Sequence, residues 1–445
     1  MANSPIVNMF KVKELRAKLF FTLIILAIFR LGSILTIPGI NVALLKQYFE
    51  SFATEAEGAF ASYMDFFAGG AFERFSVFML GVMPYISTQI ILQLALVIFP
   101  GLKRIAQEDG GQQRVQAWTR VGTIFVCLFQ SMAITVYAST INQQVPGTII
   151  FDNKVYFNLL AILTVTTGSM VTVWIGNQIT AHGIGNGISM LIFAGIVARL
   201  PSAVYELVKS VQRGDINVVF VVVAVFVFLA IIGFVVFEQS GERKIPVHYA
   251  KRVVGRKMYG GQTTYIPFKI NPSGVIPIIF ASAFLTFPLQ IANSLQTKAT
   301  WLSKVATALN PLGIWYNIIE VLLIVFFAYF YTQVTLNPTE IAKNVRENGG
   351  SIPGIRTDKM EEYMQKVLNR LVLPGSLYLA VIAVLPTIVQ NLFGFPQSIS
   401  MLMGGTSLLI LVGVDLDTMS QVEAMMKMHH QDGLVKKGKL RSRNL

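Results

Sequence analysis

Residues that commonly carry catalysis or bind metals are few in this chain, and their spacing suggests no reaction. Its only cysteine, Cys127, lies in an apolar segment, which excludes a disulfide framework and a cysteine-based metal site. No His-x-x-x-His pair, nucleophile elbow or phosphate loop occurs. The sequence therefore predicts neither enzyme activity nor a metal or cofactor. The four histidines are His182, His248, His429 and His430.

Three alternating glycines, Gly183, Gly185 and Gly187, superficially resemble a phosphate-binding loop. No strand precedes them, and an apolar segment follows. We therefore interpret them as the start of a tightly packed helix.

Ionisable groups that could couple transport to an ion gradient are scarce. Only Arg30 and Glu320 qualify as charges near the centre of an apolar segment, and each can still reach an interface by extending its side chain towards a segment end. This scarcity argues against a small-solute transporter, in which we expect charged groups near the bilayer centre.

The elements that position these residues are membrane helices. A chain of 445 residues that is 53% hydrophobic and 13% charged has too much apolar surface for a water-soluble body. Segments of about 20 apolar residues cross a bilayer as helices. The sequence predicts an all-α polytopic membrane protein with ten spans, at 19–36, 75–97, 121–138, 156–176, 184–204, 216–237, 274–292, 313–335, 371–392 and 397–414.

Basic residues are concentrated in alternate loops and in both termini, which places the termini in the cytoplasm. Spans two and seven are both interrupted by Gly and Pro, and spans five and ten both open on glycines. These interruptions of the helices, which we call defects, recur five spans apart. They indicate two inverted five-helix halves around a central pathway. We assign residues 1–210 to the first half and 211–445 to the second.

The stretch before the second span combines three charges with a Gly-Gly pair in a segment too short to cross the bilayer. We predict a half-helix, packed in protein or facing a water-filled funnel, at 63–75. An ordinary outer loop is the alternative. The residues of interest are Tyr63, Asp65, Phe67, Gly69, Gly70, Glu73 and Arg74.

Bulky aliphatic residues follow the defects in four spans, and the pairs 82/86 and 188/192 are each one helical turn apart. If these helices line one path, the side chains form a narrow apolar constriction. The alternative is that they are ordinary core residues. The set is Val82, Ile86, Ile188, Ile192, Ile279 and Ile410.

Two long loops, 238–270 and 336–370, combine basic charge with turn residues. Tyr and Val residues in the first favour a β-hairpin-like excursion. The length of the two loops suits a protruding surface that docks a polyanionic partner. Binding of the basic residues to anionic lipid headgroups remains an alternative. In the second loop, Arg356 is held between turn residues.

At these residues the chain resembles the SecY protein-conducting channel family over essentially its whole length. The resemblance is carried by Phe29-Arg-Leu-Gly-Ser, Gly69-Gly-Ala-Phe-Glu-Arg, Gly81-Val-Met-Pro-Tyr-Ile-Ser, Gly183-Ile-Gly-Asn-Gly-Ile-Ser, Gly274-Val-Ile-Pro, Ile352-Pro-Gly-Ile-Arg and Gly404-Gly-Thr-Ser-Leu-Leu-Ile.

The resemblance implies roles for the residues named above. The six aliphatic residues fall on the family's pore ring, where Val82 departs from the commoner isoleucine. The 63–75 stretch falls on the plug. Ser87, Ile90, Ile91 and Phe287 would flank a lateral gate. Arg243, Lys244, Arg252, Arg256 and Arg356 would dock a motor or a ribosome.

The resemblance also implies a non-catalytic function in the cell membrane. The chain would conduct unfolded secretory polypeptides and release apolar helices sideways into lipid. It implies SecE, SecG, SecA, the ribosome, precursor chains and membrane lipids as partners, with ribosomal RNA contact through the basic loops. An inverted-repeat small-solute transporter and an inactive structural subunit remain alternatives.

Overall fold

A computed structural model describes the greater part of the chain. The described residues are 12–51, 64–65, 68–214, 217–249, 252–254, 257–259, 263–295, 304–305, 308–310, 313–393 and 405–437. They fall into two compact units. The first is drawn from Met1–Tyr85, Arg120–Ser202 and Ile410–Leu445, and the second from Ile86–Thr119 and Ala203–Leu409.

Long helices dominate, as the apolar composition predicts. In chain order the first eight are α1 (Lys13–Gly32), α2 (Val42–Ser51), α3 (Met83–Ile98), α4 (Pro100–Gln107), α5 (Gly111–Gln144), α6 (Lys154–His182), α7 (Gly187–Arg213) and α8 (Val218–Ser240). The others are α9 (Ile276–Leu295), α10 (Ile314–Thr335), α11 (Pro338–Glu347), α12 (Met360–Phe393) and α13 (Gly405–Lys437).

Local signals in the sequence begin several of these helices. Asn153 caps α6 and Asn217 caps α8, each accepting backbone N–H groups of the first turn. Proline occupies the first position of α4 and of α11, where its missing N–H costs nothing.

Six of the described helices are long and apolar enough to cross a membrane, and a bent pair, α3 and α4, makes a seventh candidate. The bend between α3 and α4 is 105°. Helices also occupy most of the described residues in the predicted spans at 19–36, 274–292 and 397–414. The chain is thus a multi-helix membrane protein, and the ten-span count stays a prediction.

The predicted span at 75–97 begins too early. Residues 69–82 form consecutive turns, with left-handed backbone at Gly70 and Gly81, and the helix starts only at Met83. The apolar residues before Met83, such as Met79 and Leu80, are fully buried in the protein. Apolar character there reflects packing in the protein core rather than a continuous membrane helix.

Both long loops fold, and they share one sheet. Strand β1 (Glu242–Tyr249) pairs antiparallel with β4 (Thr263–Lys269) and with β5 (Gly350–Ser351). Strands β2 (Arg252–Val254) and β3 (Lys257–Tyr259) form the outer ribbon of the hairpin. The hairpin-like prediction for 238–270 is confirmed.

A buried cluster beneath the three-stranded sheet joins it to α11 and to the start of α12. Its centre combines Val247, Ala342, Met360 and Met364, all fully buried. The two loops therefore form one folded body within the second unit.

Candidate functional site

The predicted plug stretch is folded around the carboxylate of Asp65, which is fully buried. One carboxylate oxygen accepts the backbone N–H groups of Phe72 at 2.7 Å and Glu73 at 2.9 Å. The carbonyl of Asp65 also accepts the N–H of Gly70 at 3.1 Å. A single acidic side chain thus closes the turn after the Gly-Gly pair.

The second carboxylate oxygen of Asp65 pairs with the guanidinium of Arg199 on α7. Arg199 also lies 3.3 Å from a carboxylate oxygen of Glu73 and is itself mostly buried. A buried carboxylate needs such a partner, since an isolated charge in low dielectric is very costly. Arg199 is the functional candidate that sequence reasoning missed.

Arg30 on α1 makes a further contact with this stretch. Its guanidinium donates to the carbonyl oxygen of Gly69 at 2.7 Å. Arg30 is half-buried, so this hydrogen bond gives its side chain a contact within the protein that the sequence did not indicate. The expectation that Glu320 reaches an interface fails, since that residue is only 5% exposed.

Gly69 lies where no side chain fits. Its φ is +65°, and an added Cβ would be 2.6 Å from the Cα of Gly195 on α7. The backbone of the stretch therefore rests directly against α7.

Aromatic packing and backbone pairing hold the C-terminal end of the stretch. The rings of Phe72 and Phe75 each pack on Tyr137 of α5, with centroids 6.2 and 6.3 Å apart. The N–H of Ile37 donates to the carbonyl of Phe75 at 2.8 Å. The described part of 63–75 is mostly buried, but residues 69–75 form turns and bends instead of the predicted half-helix, because the Gly-Gly pair and the contacts of Asp65 fold the backbone there. Tyr63 and Phe67 lie outside the described residues.

The six predicted ring residues are largely buried but belong to different units. Val82, Ile192 and Ile410 are buried and Ile188 is half-buried in the first unit, whereas Ile86 and Ile279 are buried in the second. Their meeting in one ring stays a prediction.

The glycine cluster before α7 is a packing site, as predicted. An added Cβ on Gly187 would lie 1.8 Å from the carbonyl oxygen of Gly176 on α6. The N–H of Ile184 donates to Thr22 of α1 at 3.2 Å, and that of Gly185 donates to Gln421 of α13 at 2.9 Å. These contacts join four helices of the first unit at the entry to α7.

Three of the predicted gate residues lie on α3. Ile90 is buried, Ile91 is 58% exposed and Ser87 is half-buried. The helix therefore has one face packed in the protein and one face open. Phe287 lies on α9, and its side chain is outside the described residues.

The described docking residues lie in the body that the two long loops form, which we call the sheet body. Arg243 and Lys244 are exposed on β1, and Arg356 is exposed at the start of a short 3-10 helix, Thr357–Lys359. Arg252 lies on β2, and Arg256 is outside the described residues. Ile352, four residues before Arg356, is buried in the cluster beneath the sheet. The sheet thus gives Arg356 a fixed base.

Comparison with known proteins identifies the family. The SecY family model matches residues 76–419. The chain is 42% identical over 422 residues to the protein translocase subunit SecY of Borreliella burgdorferi, covering 94% of each chain. It is 40% identical to the SecY subunit of Thermotoga maritima, covering 98% of each.

Solved structures show the same fold. A protein-conducting channel structure aligns with a TM-score of 0.63 at 18% identity, covering 95% of this chain and 97% of the other. Sec61 from the canine ribosome-channel complex aligns with a TM-score of 0.59 at 16% identity, with the same coverage. From the family match and these full-length relatives, the chain belongs to the SecY family.

Proposed function

We propose that this chain is the central pore-forming subunit of a Sec protein translocase, which conducts unfolded secretory polypeptides across the cell membrane. The observation that carries this function is the 42% identity to a SecY translocase subunit along 94% of both chains. Ten spans in two inverted halves, 1–210 and 211–445, with both termini in the cytoplasm, complete the proposed architecture.

The physical problem of such a channel is to pass polar backbone through a low-dielectric layer without leaking ions. An apolar waist between two water-filled funnels solves it, because it closes by dewetting and binds no particular sequence. Val82, Ile86, Ile188, Ile192, Ile279 and Ile410 are the proposed waist. Their burial, complete or partial, supports this role.

The 63–75 stretch is the proposed plug, and its polar contacts act as a latch. Asp65 is paired with Arg199, and Gly69 is held by Arg30, so the latch anchors the plug to α7 and α1. In a solved SecY structure the plug domain stabilises the closed state and maintains a membrane seal. We assign the same purpose to this stretch.

Opening is then a two-state change that a signal helix and a docked motor favour together. Ser87, Ile90, Ile91 and Phe287 are the proposed lateral gate, through which an apolar helix leaves for lipid. The exposed apolar surface of Ile91 beside buried Ile90 suits that boundary.

The sheet body is the proposed docking surface for SecA or the ribosome, with ribosomal RNA as a polyanion that its basic residues attract. Structural relatives include the ribosome-bound yeast Ssh1 complex, with a TM-score of 0.56. SecE and SecG are the proposed membrane partners. Arg243, Lys244, Arg252, Arg256 and Arg356 are the proposed contacts.

Ion leak through the resting channel tests the waist. Replacing Ile86, Ile192 and Ile279 together by glycine should raise conductance in planar bilayers. The matched control replaces three apolar residues that are exposed on helices, Phe125, Phe226 and Leu322, by alanine. Equal conductance in the two variants would contradict the waist. The small-solute transporter gains no support from the family match.

A further inference from the structure

The C-terminal end of α8 carries a buried acid, Glu238. Glu238 is 8% exposed, and neither of its carboxylate oxygens has a hydrogen-bond partner among the residues that the structure describes. A carboxylate in that position is costly unless a donor or a cation compensates it. None of the roles proposed above uses this residue.

Two further polar groups near this end of α8 in sequence or in contact lack hydrogen bonds within the described chain. They are the side-chain amide nitrogen of Gln239 and the hydroxyl of Tyr378 on α12. The ring of Phe234 packs edge-on against that of Tyr378, with centroids 5.1 Å apart. Glu238 is one helical turn after Phe234, so its side chain points to the same part of α12.

Backbone contacts of the hairpin base lie next to the cluster of Glu238, Gln239 and Tyr378. The N–H of Ile270 donates to the carbonyl of Gly241 at 2.9 Å, which fixes the base of the hairpin directly after α8. An added Cβ on Gly375 of α12 would lie 3.3 Å from the carbonyl oxygen of Ile270. The cluster therefore sits in a corner between α8, the hairpin base and α12.

The surface around the corner is apolar and exposed. Phe237 is 77% exposed and Leu377 is 51% exposed, and only 11% of the apolar window of α8 is buried. Lipid tails could cover this surface, but they offer no donor to a carboxylate. A basic side chain does, and its flexible apolar stem can reach an enclosed acid.

The negative charge of Glu238 therefore favours a cationic group over a lipid tail as the binding partner. Two carboxylate oxygens suit the forked donors of a guanidinium, and an ammonium group can pair with them as a compact cation. Gln239 and Tyr378 are half-buried, so a rotation of either side chain opens a path to the acid. A lipid headgroup amine has the same charge, and the crosslinking test below distinguishes it from a polypeptide.

We propose that Glu238, with Tyr378 and Gln239, forms a receptor for a lysine or arginine of a partner polypeptide whose apolar residues cover Phe237 and Leu377. The receptor anchors this partner where α8 leaves the membrane. This inference deepens the proposed function, since it rests on the chain working with membrane partners.

Photocrosslinking in intact membranes tests the receptor. The probe is benzoylphenylalanine in place of Phe237 in the full-length chain, followed by mass spectrometry of the crosslinked peptides. We expect a partner peptide that is linked within about one helical turn of a Lys or Arg. Glu238→Gln should lower the yield about tenfold. The control Glu242→Gln, at an exposed acid nearby, should leave the yield unchanged.

Three outcomes would overturn the proposal: crosslinks to lipid alone, a partner peptide without a basic residue, or a yield that Glu238→Gln does not change. If Glu238→Gln fails to accumulate in the membrane, Tyr378→Phe replaces it, and a severalfold loss is expected. Crosslinking at Phe237 does not depend on translocation. A negative crosslinking result would therefore overturn the receptor only, and the conductance and precursor experiments would still test the proposed channel.

Discussion

The carboxylate of Asp65 and the guanidinium of Arg199 form a buried ion pair between the predicted plug and α7. Asp65 uses its other oxygen to close the turn of the plug through Phe72 and Glu73. The same residue therefore shapes the segment and fastens it. If the stretch is displaced from α7 as the proposed plug, this pair must separate.

Removing the cation should loosen the plug. Arg199→Gln leaves a buried carboxylate uncompensated, which costs about 3–5 kcal/mol for a buried pair. We expect a higher resting ion conductance of the purified complex in planar bilayers. Arg213→Gln, an exposed position on the same helix, is the control. Unchanged leak in Arg199→Gln would show that the pair does not hold the seal.

The double variant Asp65→Asn with Arg199→Gln separates charge from packing. Removing both charges avoids an unpaired ion, so its leak should be smaller than that of Arg199→Gln alone. Conductance under identical conditions measures this difference. A double variant that leaks as much as or more than Arg199→Gln would assign the effect to lost packing.

Gly69→Ala and Gly70→Ala test close approach against backbone strain. Both glycines have positive φ, at 65° and 91°. An added Cβ on Gly69 meets Gly195 at 2.6 Å, whereas nothing lies within 4 Å of the one on Gly70. Crosslinking of a plug cysteine to α7 should therefore fall further for Gly69→Ala. Equal losses of crosslinking in the two variants would mean that backbone strain alone, and not the close approach of Gly69 to Gly195, causes them.

Arg356→Glu should abolish SecA-driven translocation while the chain still inserts into the membrane. The side chain is exposed on a turn anchored by buried Ile352, so the substitution changes surface charge without disturbing the core. Lys359→Glu, three residues on and also exposed, is the control. Full precursor transport into vesicles by Arg356→Glu would exclude this docking role.

The cluster beneath the sheet should determine the stability of the docking surface. Met364 is fully buried there, so Met364→Ala should cost about 2–5 kcal/mol. We expect faster protease cleavage within 238–270 and 336–370 in detergent-solubilised protein. Lys366→Ala, exposed on the same helix, should be cleaved like the unchanged chain. Equal cleavage of both variants would contradict the shared core.

The membrane character and the hairpin could be predicted because their signals are local. Long apolar runs mark helices, and Tyr and Val residues between turns mark the hairpin around β1. Strand β5 could not be predicted, because Gly350 and Ser351 carry no strand signal and owe their pairing to β1. The pairing of α11 and β5 with the hairpin is likewise a tertiary effect.

The candidate site likewise combines residues that local sequence signals indicate with residues that only the tertiary fold brings in. The glycine pair and Asp65 drew attention to the 63–75 stretch from sequence alone, because charge and glycine are unusual beside an apolar span, and its role as a plug stays a prediction. Arg199 was missed because its partner, Asp65, is remote in sequence. A basic residue inside the helix Gly187–Arg213, two positions before Pro201, was the available signal.

Crosslinking of an arrested precursor to the waist tests the central claim most directly. Photoreactive residues replace Ile86, Ile192 and Ile279 one at a time, with Phe226 on the exposed surface of α8 as the control position. The account predicts strong crosslinks of the translocating chain to the first three positions and little at the fourth. Absence of crosslinks at all three waist positions, with the precursor still arrested in the membrane, would contradict it.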